Sequence, residues 1–289
     1  MDQNRIYQNA RRLQLISNKL VESLLAGNYR SVFKGQGIEF DEVREYVEGD
    51  DARLIDWNVS SRMGTPFTKL FREERELTLF LLVDMSASMG GGTADSTRRS
   101  VQRLLFALLS LAAAQNNDKI GAVFYSDEIE HWVSPVKGRK HALRLIQDMV
   151  RFEPKGRGSD LALAMRTAGE ALKRRGICVI LSDFKTSGYF KDLSLLSRRH
   201  DVIAVRVVDP IDELYPETGL FRLEDPETGK SILAPGRSRR FRKQYHDYWA
   251  RQRRQWQREC RRRGVSTLEV GTDEDPAAKL LQFFQRRRA

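Results

Sequence analysis

What this chain has little of narrows the field before any motif is read. Among 289 residues there are two cysteines, Cys178 and Cys260. Each falls inside a segment patterned as regular structure, so no disulfide framework is expected and a reducing cytoplasm fits. Long hydrophobic runs are also missing. The longest apolar stretches, around Leu77 to Val83 and Leu104 to Ala114, fall short of the roughly 20 residues that cross a bilayer, and no membrane span is expected. The amino-terminal "MDQNRIYQNARRLQ" carries charge where a secretory signal places an apolar stretch. There are four histidines and no "GxxxxGK[ST]" loop, which removes a Walker-type nucleotide site.

Acidic charge is scarce in one place only. The chain has a net charge of +11, but residues 237–263 hold 12 Lys or Arg against Asp247 and Glu259, a net of +10, which leaves +1 for everything else. Such a balance describes one segment and not a generally basic surface. At about 100° per residue, Phe241, Tyr245, Tyr248, Trp249, Trp256 and Cys260 share one arc of about 120°, with most Arg opposite. A helix over 238–263 is therefore predicted, its aromatic face in the core. The Arg face is either solvated or a site for an acidic partner, nucleic acid or lipid headgroups.

What is present, from Glu76 onward, is an alternation of strand and helix patterns. Apolar runs end at Asp84, "KIGAVFYS", Asp183 and "DVIAVRVVDP"; helical patterns fall near Thr97 to Asn116, Arg139 to Val150, Ser159 to Arg174 and Phe190 to Arg199. This predicts an α/β fold with a doubly wound, mostly parallel sheet. "EIEHWVSP" follows the Ser126–Asp127 turn too closely for a crossover and is expected to be an antiparallel edge strand. "LFRLEDPETGKSIL" carries two apolar arms around "DPETGK", a β-hairpin insertion over 219–233. The long basic helix, a strand "VSTLEV" and a helix from Asp275 close the chain. The expected division is 1–75, a helix and a signature segment, and 76–289, the α/β domain. Ile6, Leu13, Ile16, Leu20 and Leu24 give the first 26 residues a helical spacing. From Phe33 to Arg62 charge and Gly dominate. That segment reads as folded loops and turns, with Arg and Asp paired to each other and Trp57 packed against the sheet.

The run Leu77 to Ser88, "LTLFLLVDMSAS", is the most informative stretch. A buried strand ends in Asp84, Ser86 and Ser88, and residues at alternate positions project to one side. One carboxylate and two hydroxyls are hard oxygen ligands, which select Mg²⁺, Mn²⁺ or Ca²⁺ over zinc. Downstream, "GRGSDLALAM" puts Ser159 and Asp160 in a Gly-rich loop before a helix, and "GICVILSDF" is a second buried strand ending in Asp183. Open sheets bind ligands beyond the carboxyl ends of strands at the switch point, where Asp84 and Asp183 are expected to lie; if their strands are neighbours, the site oxygens meet in one crevice. The plainer alternative is that these Asp and Ser residues cap helices or satisfy loop amides.

Taken together, these pieces resemble the metal-ion-dependent adhesion site of the von Willebrand factor A domain. The resemblance implies Asp84, Ser86, Ser88, Ser159 and Asp183 as ligands of Mg²⁺, with Mn²⁺ or Ca²⁺ as substitutes. Ser159 stands where that family usually has Thr; it keeps the hydroxyl and loses the stiffening methyl. Upstream, "GQGIEF", "REYVEGDDARLIDW" and "SSR" are similar to the signature of the bacterial domain-of-unknown-function family 58 (DUF 58), through Gly35, Gly37, Glu39, Phe40, Arg44, Tyr46, Gly49, Asp50, Arg53, Asp56, Trp57 and Arg62. Many members carry two amino-terminal membrane helices, and this chain resembles the short soluble branch. The resemblance further implies a cytoplasmic adaptor working beside a MoxR-type AAA+ ATPase, or on a client that donates a Glu or Asp to the metal.

Catalysis is not expected. Phosphatase chemistry of the haloacid dehalogenase type needs a second Asp where Ser86 stands, and His131, His141, His200 and His246 fall outside the predicted metal loops, leaving Ser86 and Ser88 without a base. The rival reading is a nucleic-acid-binding module run by the basic helix through Arg253, Arg254, Arg258 and Arg261. Its aromatics would then have to be free to stack on bases.

Overall fold

A computed structural model of the chain describes residues 39–72, 77–92, 96–217 and 219–288. The helix expected over the first 26 residues lies outside them. The chain divides into two units, with the boundary between Leu77 and Thr78.

The smaller unit pairs β1 (Glu39–Glu45) with β2 (Phe67–Arg72) as an antiparallel ribbon. Between them lie a 3-10 turn (Ala52–Leu54) and α1 (Trp57–Met63). This corrects the expectation of loops and turns alone. A backbone ladder holds the ribbon, and the charges in "EFDEVRE" hide the alternation by which a strand is normally recognised. Arg44 pairs with Asp50 at 2.8 Å and Arg53 with Asp51 at 2.9 Å, as expected of this segment. Asp56 caps α1 by accepting the N–H of Asn58 and Val59, and Gly64, at φ 75°, ends it. Trp57 was expected to be covered, but it is 72% exposed. A seven-residue helix beside a two-stranded ribbon offers no face of its own broad enough to bury an indole.

In the larger unit the order is β3 (Thr78–Asp84), α2 (Arg98–Gln115), β4 (Lys119–Tyr125), β5 (Ile129–Val136), α3 (Arg139–Arg151), α4 (Leu161–Ala171), β6 (Ile177–Ser182), α5 (Phe190–Arg199) and β7 (Asp201–Val208). Then come α6 (Pro210–Glu213), the hairpin β8 (Leu220–Glu224) and β9 (Ser231–Pro235), α7 (Arg239–Arg262), β10 (Ser266–Gly271) and α8 (Pro276–Arg288). Six strands form one sheet in the order β10-β7-β6-β3-β4-β5. All neighbouring pairs are parallel except β4 with β5, the antiparallel edge.

Residues Leu79 to Asp84 of β3 are all buried, the pattern of a central parallel strand covered on both faces. Each fully buried large side chain contributes roughly 1.5–3 kcal/mol. The run from Leu79 to Val83 therefore offsets the several kcal/mol that burying the Asp84 carboxylate costs. On α2, Val101, Leu105, Leu108, Leu109 and Ala112 are buried, the three-and-four spacing of an apolar stripe. From β3 the chain moves to β4 on one side and returns at β6 on the other. Asp84 ends β3 and Asp183 directly follows β6, so both lie at the topological switch point, as expected.

On α7 only Trp256 and Cys260 are buried, and Tyr248 is 48% exposed. The expectation that the whole aromatic arc is core is thereby corrected. Phe241 and Tyr245 rest on Tyr215, so the first half of the helix covers a short segment after α6, too narrow to enclose the arc.

Candidate functional site

Three loops converge at the ends of β3 and β6. The first follows β3. Asp84 Oδ1 accepts the N–H of Ser86 at 2.9 Å, a local closure that turns the chain out of the strand. The hydroxyls of Ser86 and Ser88 lie 3.0 Å apart, and Asp84, Ser86 and Ser88 are all buried.

The second loop brings in Ser159, whose Oγ donates to Asp84 Oδ2 at 3.0 Å. Glycine is needed on this approach: a Cβ on Gly156 would strike the Ser126 hydroxyl, and one on Gly158 the Asp127 carboxylate. Asp127 holds the loop by accepting the Arg157 N–H at 3.0 Å, and Arg157 O accepts the Ala87 N–H at 2.9 Å. Asp160 caps α4 through the Leu163 N–H at 2.8 Å.

The third loop follows β6. Ser182 Oγ donates to Asp84 Oδ2 at 2.6 Å. Asp183 is 3% exposed; its Oδ1 accepts the Lys185 N–H at 3.1 Å, while its Oδ2 is buried with no hydrogen-bond partner. Phe184 has φ 55°, an uncommon conformation for an aromatic residue, and it makes the sharp bend beside Asp183.

All five predicted residues therefore belong to the three loops. Ser86 and Ser159 bond directly to Asp84, and Ser88 joins through Ser86. Asp183 acts by charge: burial first, then the neighbouring Asp183, pushes the Asp84 carboxyl above the usual aspartate range, against the hydrogen bonds from Ser182 and Ser86. Part of the positive charge nearby is committed to Asp212. Arg98 and Lys185 bond to Asp212 at 2.6 and 2.7 Å, and Arg98 also donates to Ser88 O at 3.1 Å. Burial alone would raise the Asp212 carboxyl, but Lys185 and Arg98 hold it below the usual range. Arg99 donates to Met85 O at 3.1 Å.

Several supporting residues were not anticipated. Gln102 on α2 donates to Asp84 O at 2.8 Å and to Leu181 O at 3.0 Å, joining the ends of β3 and β6. Ser182 carried a usable signal, since it adjoins Asp183, but the parallel register that sets it beside Asp84 is long-range. Glu227, in the turn between β8 and β9, had been read only as a turn residue. Burial, then the charges of Asp183, Asp84 and Asp225, push its carboxyl up to about 7 against the pull of Ser88.

The donor set fits a hard divalent cation, because Asp183 Oδ2 is a buried carboxylate oxygen with no partner, next to a second buried carboxylate. Among the described residues no three His, Cys, Asp or Glu gather as a metal site, so any site here relies on hydroxyls. A cavity of about 380 Å³ is lined by Glu213, His246, Ala250, Arg253, Arg254 and Gln257, none of them in the three loops. Arg253 there bridges Glu213 and Glu269, both at 2.9 Å.

Strand order, switch point and antiparallel edge define a doubly wound, mostly parallel α/β domain. The chain belongs to the family described as "Protein of unknown function DUF58", whose sequence model matches residues 42–255. It is similar along its whole length to uncharacterized proteins of Mycobacterium bovis and Mycobacterium tuberculosis, each 30% identical over 295 residues that cover 100% of this chain and 92% of theirs. Among solved structures it is similar to the conserved hypothetical protein BatB from Bacteroides thetaiotaomicron, at 14% identity and a TM-score of 0.46 over 73% of this chain and 98% of that one. The SpRpn10 VWA domain aligns at 10% identity and a TM-score of 0.43, over 72% and 94% respectively. Among the described residues no helix is long and apolar enough to cross a membrane.

Proposed function

We propose that Asp84, Ser86, Ser88, Ser159 and Asp183 hold Mg²⁺, with Mn²⁺ or Ca²⁺ as substitutes, and that the chain is a non-catalytic cytoplasmic adaptor that captures its partner through that ion. The observation carrying this reading is the unpartnered, buried Oδ2 of Asp183 beside the fully buried Asp84. When bound, the ion supplies a Lewis-acidic position that a Glu or Asp of a partner can occupy. The protein's own groups do the rest. Asp84 and Asp183 supply the negative charge, the hydroxyls of Ser86, Ser88 and Ser159 supply neutral oxygens, and Gln102 and the Arg98–Asp212–Lys185 cluster hold the loops in place. The family resemblance points to a MoxR-type AAA+ ATPase, or its client, as the partner. With no Walker loop in this chain, the partner would supply any ATP-driven step.

Affinity capture from cell lysate, with wild type and Asp84→Ala each in Mg²⁺ and in EDTA, tests the reading. Recovery of an AAA+ ATPase with wild type in Mg²⁺ alone is the expected result. Capture indifferent to both the variant and the chelator contradicts it; if that capture is nuclease-sensitive, the exposed Arg face of α7 is the binding surface instead.

A further inference from the structure

The cavity of about 380 Å³ beside α7 follows from the order of residues on that helix. His246, Ala250, Arg253, Arg254 and Gln257 stand at i, i+4, i+7, i+8 and i+11, one stripe along the helix. Ala250 is the one alanine of α7, which has no glycine, so the stripe is hollow where its neighbours are long. The sixth lining residue, Glu213, comes from α6. Ala250 and the aliphatic stems of the Arg and Gln side chains supply an apolar wall.

Arg253 is held in place from two sides. Its Nη1 donates to Glu213 at 2.9 Å and its Nε to Glu269 at 3.0 Å. Glu269 also accepts from Gln257 Nε2 at 2.5 Å and pairs with Arg206 at 3.5 Å. The Arg206 side chain is 5% exposed and lies over the Trp256 ring, which anchors the network in the core. Both carboxylates are thereby paired, and Nη2 of Arg253 keeps its donors. Arg254 has no acidic partner and no hydrogen bond among the described residues. Across Arg206, Arg253, Arg254, Glu213 and Glu269 three positive charges meet two negative ones, so the cleft keeps a net charge of +1.

One fixed guanidinium with a free edge, next to a second with no partner, suits an oxyanion. A planar carboxylate is satisfied by a single guanidinium fork, whereas a tetrahedral phosphate presents oxygens in several directions and can accept from both. The volume falls at the lower end of the roughly 300–1,000 Å³ of pockets that hold small molecules. We infer that the cleft is a binding site for a small phosphomonoester, with its phosphate between Arg253 and Arg254 and its organic part over Ala250. No residue of the three loops lines it, so the inference stands apart from the metal reading.

Calorimetric titration of phenyl phosphate, inorganic phosphate and benzoate into the full chain tests it, with wild type, Arg254→Gln, Ala250→Met and Arg240→Gln. Phenyl phosphate should bind wild type at least about tenfold more tightly than benzoate, and more tightly than inorganic phosphate, which leaves the Ala250 wall unused. Arg254→Gln should weaken phenyl phosphate about tenfold or more, the size of one charge-assisted hydrogen bond. Ala250→Met fills the cavity without changing charge and should weaken it as much. Arg240 is exposed, and Arg240→Gln removes the same charge 14 residues away along the helix, about 21 Å. That is beyond the range of screened attraction, so the affinity should change less than about twofold. Thermal melts show that each variant is folded. No binding of phenyl phosphate by wild type, or benzoate or inorganic phosphate binding as tightly, overturns the inference. So do equal losses in Arg254→Gln and Arg240→Gln with Ala250→Met at wild-type affinity, the signature of unspecific attraction to a basic helix.

Discussion

Burial governs the behaviour of Asp84 before any ion is considered. Its folded pKa is raised, chiefly by burial and then by Asp183, so the folded state holds the proton more tightly than the unfolded one. This contribution to stability is fully present below the ordinary aspartate range and is lost as pH rises through the folded value. In EDTA, wild type should therefore lose more thermal stability than Asp84→Asn as pH rises from the ordinary aspartate range to neutrality. At neutral pH the metal-free variant should be the more stable by about 1 kcal/mol, a shift of roughly 2–4 °C in Tm. An amide is tolerated there because the Ser159 and Ser182 hydroxyls that donate to Oδ2 can turn and accept. Thermal melts across that range check this, and a variant less stable than wild type at every pH contradicts it. At this scale the local part of the site was legible: Asp84, Ser86 and Ser88 lie within five residues, so strand geometry alone brings them together. Ser182 and Gln102 were not legible, because strand register and helix packing deliver them.

Among the elements, α2 and α6 are tied through a pair that no local pattern announces. The side chains of Arg98 and Asp212 are 7% and 5% exposed, and Asp212→Asn leaves Arg98 buried without a matching charge. A loss of about 3–5 kcal/mol is expected, read by denaturant unfolding. Because Lys185 and Arg98 hold the Asp212 carboxyl low, its contribution is present above the unfolded pKa and is lost as pH falls through the folded one. The sheet edge gives a second expectation. The β4–β5 register shifts between Ile120 and Ala122, and a Cβ on Gly121 would come within 2.8 Å of Pro135 N and Val133 O. Gly121→Ala should cost about 1–3 kcal/mol by forcing the two backbones apart. The buried parallel strands and the helices between them were readable because apolar runs and three-and-four spacings are strong local signals. The β1–β2 ribbon was not, because charge interrupts its alternation. The aromatic arc of α7 was over-read, since periodicity shows which residues share a face but not how much of that face is covered.

For the whole molecule, the charge that first suggests nucleic acid sits largely on one helix. Part of it is spent internally, as in the bridge from Arg253 to Glu213 and Glu269. The doubly wound architecture instead concentrates its chemistry at the switch point, where two buried carboxylates meet three hydroxyls. An ion bound only by the folded state stabilises the entire unit. At a free Mg²⁺ concentration 100-fold above Kd the gain is about 2.7 kcal/mol, a rise of roughly 5–10 °C in Tm that Asp84→Ala should not show. Calorimetric titration of Mg²⁺ into wild type and Asp84→Ala puts the claim to its most direct test. The account predicts one Mg²⁺ per chain in wild type and at least about tenfold weaker binding in the variant; no binding by wild type, or equal binding by both, contradicts it.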